Sequence, residues 1–109
     1  MEKLIAYKRM PLWDKQTMPE IVQQKHNTKV GTWGKITVLK GALKFIELTE
    51  DGEVLAEHLF EVGADNPMAQ PQAWHRVEAA TDDVEWYLEF YCKPEDYFPK
   101  KYQTNPVHS

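Results

Sequence analysis

Four histidines are the residues of this sequence best suited to chemistry near neutral pH, because the imidazole is both a titratable base and a common metal ligand. They stand at positions 26, 58, 75 and 108. His108 lies in a polar tail and is interpreted as solvated. His58 alternates with apolar residues of a predicted strand, which is typical of a partly buried histidine that has a partner. His26 and His75 therefore remain as candidates for a functional site.

His75 occupies a position that could direct its ring into a cavity. It follows Trp74 just after the bend at Pro71, where a strand re-enters the predicted sheet. Strand alternation places His75, Val77 and Ala79 on one face. If that face lines the interior of a barrel, the imidazole points into the interior.

The motifs of several other chemistries are missing from the sequence. There is no Gly-x-Gly-x-x-Gly turn after a strand, no phosphate-binding loop, and no alternation of strands with helices. Neither nucleotide nor S-adenosylmethionine chemistry is therefore expected of this chain. There is also no Gly-x-Ser-x-Gly motif, and the single cysteine, Cys92, falls in the apolar period of a strand, which is typical of packing. We predict no catalytic residue.

The elements that would position the histidines are strands. Segments rich in β-favouring residues recur along the chain, separated by glycine, proline or Asp-Gly. Residues 35–48 predict two strands of a hairpin that turns at Gly41. Asp51-Gly52 is a second turn signal, and residues 53–60 after it alternate as a strand with one face more buried. Residues 84–92 place Trp86 and Leu88 on one face and predict a central strand.

The remaining segments predict little helix. Residues 63–73 contain two prolines and predict a loop, after which a strand restarts near Trp74. Single helical turns are expected at residues 19–24 and 94–97. We predict an all-β fold, a cupin-like jelly-roll (double-stranded β-helix) barrel of about eight or more antiparallel strands. Residues 1–98 would form this domain, and residues 99–109 an extended arm or the start of a linker.

Composition excludes several classes of partner. The formal net charge is -4 with a pI near 5.5, and the basic residues are scattered among carboxylates, so we expect no nucleic-acid surface. A single cysteine permits no intramolecular disulfide, which fits the reducing cytoplasm. No stretch approaches the roughly 18 apolar residues of a membrane span. We therefore expect a cytoplasmic protein without a membrane partner.

Two segments carry a resemblance to a known family. Residues 25–41 and 71–78, which read KHNTKVGTWGKITVLKG and PQAWHRVE, closely resemble the N-terminal domain of the tellurite-resistance protein B (TehB) family. The resemblance extends over nearly the whole chain. It implies that full-length relatives carry a methyltransferase domain that uses S-adenosylmethionine to methylate tellurite and selenium oxyanions. That second domain is absent from this sequence, which we interpret as a free-standing homologue or a fragment of a longer protein.

The resemblance also implies a partial metal site. The family looks like the cupins, whose usual site combines a His-x-His pair and a glutamate on early strands with a histidine on a late strand. By this resemblance His75 is the late histidine and His26 the first of the early pair. Thr28 and Gly34 stand where the other two ligands would be, so half of the set is missing. Glu47 is the nearest carboxylate that could join His26 and His75 around one divalent transition metal; alternatively, it is a solvent-facing strand residue.

The same pocket could instead capture a small oxyanion. Tellurite or selenite would be held by charge-assisted hydrogen bonds from a lysine, an imidazolium or an indole N–H. The candidates for the pocket wall are His26, Trp33, Lys44, Trp74 and His75. Lys29 is a further cation near the first histidine.

Three functions remain open. The first, which the resemblance implies, is a non-catalytic accessory or small-ligand-binding domain in tellurite resistance, acting with a methyltransferase. The second is a metal-dependent cupin enzyme in which His26 and His75 hold a divalent ion. The third is a homodimeric interaction module whose contacts come from an exposed sheet face and from the aromatic C-terminal residues Tyr97, Phe98 and Tyr102.

Overall fold

The structure is a computed structural model that describes residues 3–97. Its elements, in chain order, are β1 (Ile5–Arg9), β2 (Trp13–Asp14), a 3₁₀ helix (Glu20–Gln23), β3 (Trp33–Lys40), β4 (Ala42–Leu48), β5 (Val54–Glu61), β6 (Trp74–Ala79) and β7 (Glu85–Cys92). Residues 94–97 are also helical. The all-β class is confirmed, and both helical turns lie where the sequence predicted them. The expected arm at residues 99–109 and the aromatic residues Phe98 and Tyr102 lie outside the described residues.

The strands form two antiparallel sheets. In the β7 sheet, β7 lies in the middle, with β3 on one side and β1 and β2 on the other. In the β4 sheet, β4 lies between β5 and β6. The prediction of a central strand at residues 84–92 is therefore confirmed. The described residues hold seven strands, and the jelly-roll topology stays a prediction.

The core lies between the inner faces of the two sheets. Period-two alternation turns one side of each strand inward, so Trp86 of β7 and Phe45 of β4 face the same interior. The indole of Trp13 meets that of Trp86 edge-on at 5.2 Å between ring centroids, and Phe45 stacks on Phe60 at 5.0 Å. These aromatic contacts add to the apolar area buried between the sheets.

The predicted hairpin at residues 35–48 is wrong. β3 pairs with β7 and β4 pairs with β5 and β6, so the chain leaves one sheet at Gly41 and enters the other. Gly41 has φ 68°, a conformation that favours glycine. A glycine between two strands serves a corner as well as a hairpin turn, and local sequence does not distinguish them.

Two backbone bridges join His26 to β6 and Gly34, at the start of β3, to the long loop. Residues 63–73 form a loop and β6 begins at Trp74, as the sequence predicted. Gly34 and Ala69 exchange backbone hydrogen bonds of 3.0 and 2.7 Å, and His26 and His75 exchange bonds of 3.0 and 2.9 Å. These bridges hold His26 against β6 and Gly34 against the loop, and they set the position of the candidate site.

No helix within residues 3–97 has the length and apolar character needed to cross a membrane.

We expect Gly41→Ala to lower the free energy of unfolding more than Gly63→Ala does. Both glycines have positive φ, 68° and 74°, so each alanine carries a backbone penalty of roughly 1–2 kcal/mol. At Gly41 the new Cβ would also lie 2.5 Å from Oδ1 of Asp83 and 3.0 Å from Cα of Val84, whereas at Gly63 no described atom lies within 4 Å. Urea denaturation of the two variants measures the difference, and equal losses would contradict the assignment of Gly41 to a crowded corner.

Candidate functional site

A cavity of about 460 Å³ lies between the two sheets. Apolar and aromatic side chains form most of its wall, among them Trp13, Ile36, Phe45, Val77, Trp86 and Leu88. Lys8 and Lys29 are the charged side chains among the described lining residues, and both residues are exposed. The cavity therefore has an apolar interior and reaches the surface at a rim that carries two cations.

His26 and His75 meet at the wall of this cavity. Their backbones form an antiparallel bridge, and their rings lie 4.4 Å apart, nearly perpendicular to each other. His75 is 4% exposed, whereas His26 is half-buried. Nδ1 of His26 lies 2.9 Å from the carbonyl oxygen of Gln24 and donates to it, so in the neutral ring Nε2 is the unprotonated nitrogen. The structure thus brings together the two histidines that the sequence singled out.

Both imidazoles are held in the neutral form. The pKa of His75 is lowered to about 4. Burial is the largest cause of this shift, and the neighbouring His26 is the second. The backbone of Ala73 and the carboxylate of Glu47 oppose this shift without reversing it. Burial also lowers the pKa of His26, against a hydrogen bond to Gln24. At neutral pH neither ring supplies the positive charge that an imidazolium would bring to an anion.

Two buried polar atoms of the site have no hydrogen-bond partner among the described residues. They are Nδ1 of His75 and Nε1 of Trp86. Ala73 influences the pKa of His75, but its backbone does not reach hydrogen-bond geometry with Nδ1. An unpaired buried polar atom costs free energy and is a common mark of a missing ligand or water. His75 and Trp86 both line the cavity, so a molecule inside it would lie against the two side chains that carry these atoms.

Glu47 does not complete a metal site. It shares the inner face of β4 with Phe45 and lies opposite His75 in the strand register. Its Oε2, however, lies 2.5 Å from Nε2 of His58, so this carboxylate is engaged with a different histidine. Within residues 3–97 no three His, Cys, Asp or Glu side chains are arranged to hold one metal ion. The residues present do not fit the divalent metal that the resemblance implied.

Three of the predicted wall residues lie outside the cavity. Each is one position away from a residue that faces inward, and alternation turns it to the other side of its strand. Nε1 of Trp33 donates to Oε1 of Gln70 at 3.2 Å. Nζ of Lys44 lies 3.7 Å from Glu57 and 3.9 Å from Glu78 on the outer face of the β4 sheet. The ring of Trp74 contacts Nζ of Lys25 at 4.9 Å.

Trp86 was not predicted as a site residue, because it falls among the alternating apolar residues of β7 and such a position is typical of core packing. A signal was available: a tryptophan on the buried face of a central strand has an N–H that needs a partner. The tryptophan that its ring contacts, Trp13, is distant in sequence, and no local pattern joins the two.

Comparison with known proteins finds a family model described as a TehB-like domain, which matches residues 8–88. A curated relative, the "probable S-adenosyl-L-methionine-dependent methyltransferase TehB" of Haemophilus influenzae, is 62% identical over 106 residues. The matched region is 97% of this chain and 37% of the relative. This chain therefore spans little more than a third of the length of the curated relative it matches.

Two solved structures share the fold. The crystal structure of TehB from Haemophilus influenzae superposes with a TM-score of 0.86 at 63% identity and covers 96% of this chain and 37% of that chain. A crystal structure of a protein from Escherichia coli strain K12 superposes with a TM-score of 0.77 at 29% identity, over 84% of this chain and 92% of that one. The fold therefore occurs both as one part of a longer chain and as nearly the whole of a shorter one.

We expect stability to fall as the pH is lowered from 6.5 to about 4, in part because of His75. Its folded pKa lies below the ordinary 6.5, so in this window the unfolded chain binds more protons than the folded chain. The contribution lost is at most on the order of 3 kcal/mol, because one pKa unit corresponds to about 1.4 kcal/mol.

Urea denaturation at pH 7 and pH 4 measures this loss. The loss should be smaller in His75→Gln, whereas His58→Gln, which alters a histidine outside the cavity, should retain the contribution of His75. An equal fall in stability for wild type and His75→Gln would contradict a buried, neutral His75.

Proposed function

The chain belongs to the TehB-like domain family, and on this premise we propose that it is a small-ligand-binding domain with no catalytic residue of its own. The observation that carries the proposal is a cavity lined by His75 and Trp86, each of which has one buried side-chain nitrogen without a hydrogen-bond partner among the described residues. A cavity of about 460 Å³ is within the range of small-molecule sites. A site of this kind binds and shields a ligand.

We propose further that the domain is accessory to a methyltransferase in tellurite resistance. The Haemophilus relative is named as an S-adenosyl-L-methionine-dependent methyltransferase, and this chain matches 37% of its length. The two antiparallel sheets have no Gly-x-Gly-x-x-Gly turn opening a helix. Methyl transfer is accordingly assigned to the rest of such a relative, and ligand binding to this domain.

A second candidate ligand is a small oxyanion such as tellurite or selenite. Lys8 and Lys29 favour it, because they place two cations at the rim of the cavity. Charge-assisted hydrogen bonds from such groups are the usual means of holding an anion.

Homodimer formation and a cytoplasmic location also remain part of the proposal, and Phe98 is the residue at which the dimer contact is proposed.

The ligand-binding function is tested by titrating ¹⁵N-labelled protein at pH 7 with selenite, 2-naphthoate and 2-acetylnaphthalene. Trp13 and Trp86 line the cavity, whereas Trp33 and Trp74 do not. A ligand that enters the cavity should therefore move the indole N–H signals of the first pair and leave those of the second pair in place.

A matched pair of variants locates the binding. Ala69 is buried in the cavity wall and Ala64 is exposed in the same loop. Ala69→Leu should weaken binding by on the order of tenfold, because added methylenes fill the space, and Ala64→Leu should have no such effect. If none of the three ligands moves the signals of Trp13 or Trp86, the proposed function is wrong.

A further inference from the structure

We infer that the cavity takes an uncharged, largely apolar molecule that carries a hydrogen-bond acceptor, rather than an oxyanion. This inference rests on the ligand-binding function proposed above and names the class of ligand. Three features support it: the absence of charge from the described interior wall, the chemistry of the two unpartnered atoms, and the aromatic character of the wall.

The described interior wall holds no side chain that could neutralise an anion. Lys8 and Lys29 belong to the exposed rim, and His26 and His75 are neutral at pH 7 because burial lowers the pKa of each. The carboxylate nearest to His75 in the strand register is Glu47, whose negative charge would repel an anion. An oxyanion that entered would lose its hydration without gaining a cation to neutralise its charge, which is costly in an apolar environment.

The indole N–H of Trp86 requires an acceptor from the ligand. The indole N–H of Trp86 can only donate, so its partner must be an oxygen or nitrogen with a lone pair. Nδ1 of His75 donates or accepts according to the tautomer of the ring. Trp86 belongs to β7 and His75 to β6 of the opposite sheet. Both residues line the cavity, so a ligand between the sheets lies against both of them.

The shape of the wall favours a flat apolar body. Trp13 and Trp86 meet edge-on, and Phe45 lies 5.1 Å from the ring of His75. Aromatic rings pack favourably against such surfaces in offset or edge-on geometry. The ligand class is therefore a neutral aromatic compound with a carbonyl, ether or hydroxyl oxygen.

The test compares two test ligands of nearly the same shape at pH 7: 2-acetylnaphthalene, a neutral ketone, and 2-naphthoate, a carboxylate. We expect the ketone to bind at least about tenfold more tightly, because the carboxylate would be buried without a cation. The indole proton of Trp86 should move downfield as it donates to the carbonyl oxygen. Selenite, tested beside them, should leave the signals of Trp13 and Trp86 unchanged.

A variant isolates the hydrogen bond. Trp86→Phe should weaken binding of the ketone by about twofold to tenfold, the range for one neutral hydrogen bond, while Trp33→Phe, outside the cavity, should not. If Trp86→Phe fails to fold, the downfield movement of the Trp86 signal in the wild-type protein decides the point.

The outcomes separate the two proposals. Tighter or equal binding of 2-naphthoate or selenite in the cavity would overturn the inference and leave the ligand-binding function standing. Binding of the ketone without movement of the Trp86 signal would overturn the assigned hydrogen bond. If no test ligand enters the cavity, both proposals are wrong.

Discussion

The paired backbone hydrogen bonds between His26 and His75 are the constraint on which the candidate site depends. Each amide donates to the carbonyl of the other residue, at 3.0 and 2.9 Å. In a pair of this kind the two Cα atoms lie about 5.5 Å apart, and in the structure the two rings lie 4.4 Å apart. Because His75 is also a residue of β6, the strand carries its ring into the interior, where water cannot stabilise a charge.

The character of the cavity follows from that position. Two packed sheets are usually separated by about 10 Å, and side chains fill the gap. Here Gly34 and Ala69 are joined by the second backbone bridge and contribute little volume to the wall. Space therefore remains between the aromatic residues of the two sheets. The result is an apolar cavity with neutral imidazoles at one wall and an indole N–H at the other, a site suited to binding and shielding.

Much of the fold could be predicted because strand alternation and turn residues are local signals. Such signals predict the loop at residues 63–73, the start of a strand at Trp74 and the central strand at residues 84–92. The corner at Gly41 was mistaken for a hairpin because pairing partners lie far away in sequence. β1 was missed since its exposed residues, such as Lys8, interrupt the apolar pattern.

Only part of the candidate site could be predicted from the sequence. Alternation placed His75 correctly with Val77, because both depend on the face of a single strand. The same alternation turns Trp33 and Lys44 to the other face of their strands, and both predicted wall residues therefore lie outside the cavity. Trp86 joins the site through contacts between sheets, which no local pattern encodes.

The most direct measurement of the account is the ¹⁵N chemical shift of the two ring nitrogens of His75, followed by NMR from pH 8 to pH 3. The account predicts a neutral ring at pH 7 that titrates with a pKa of about 4; titration near 6.5, the ordinary value for an exposed imidazole, would contradict it.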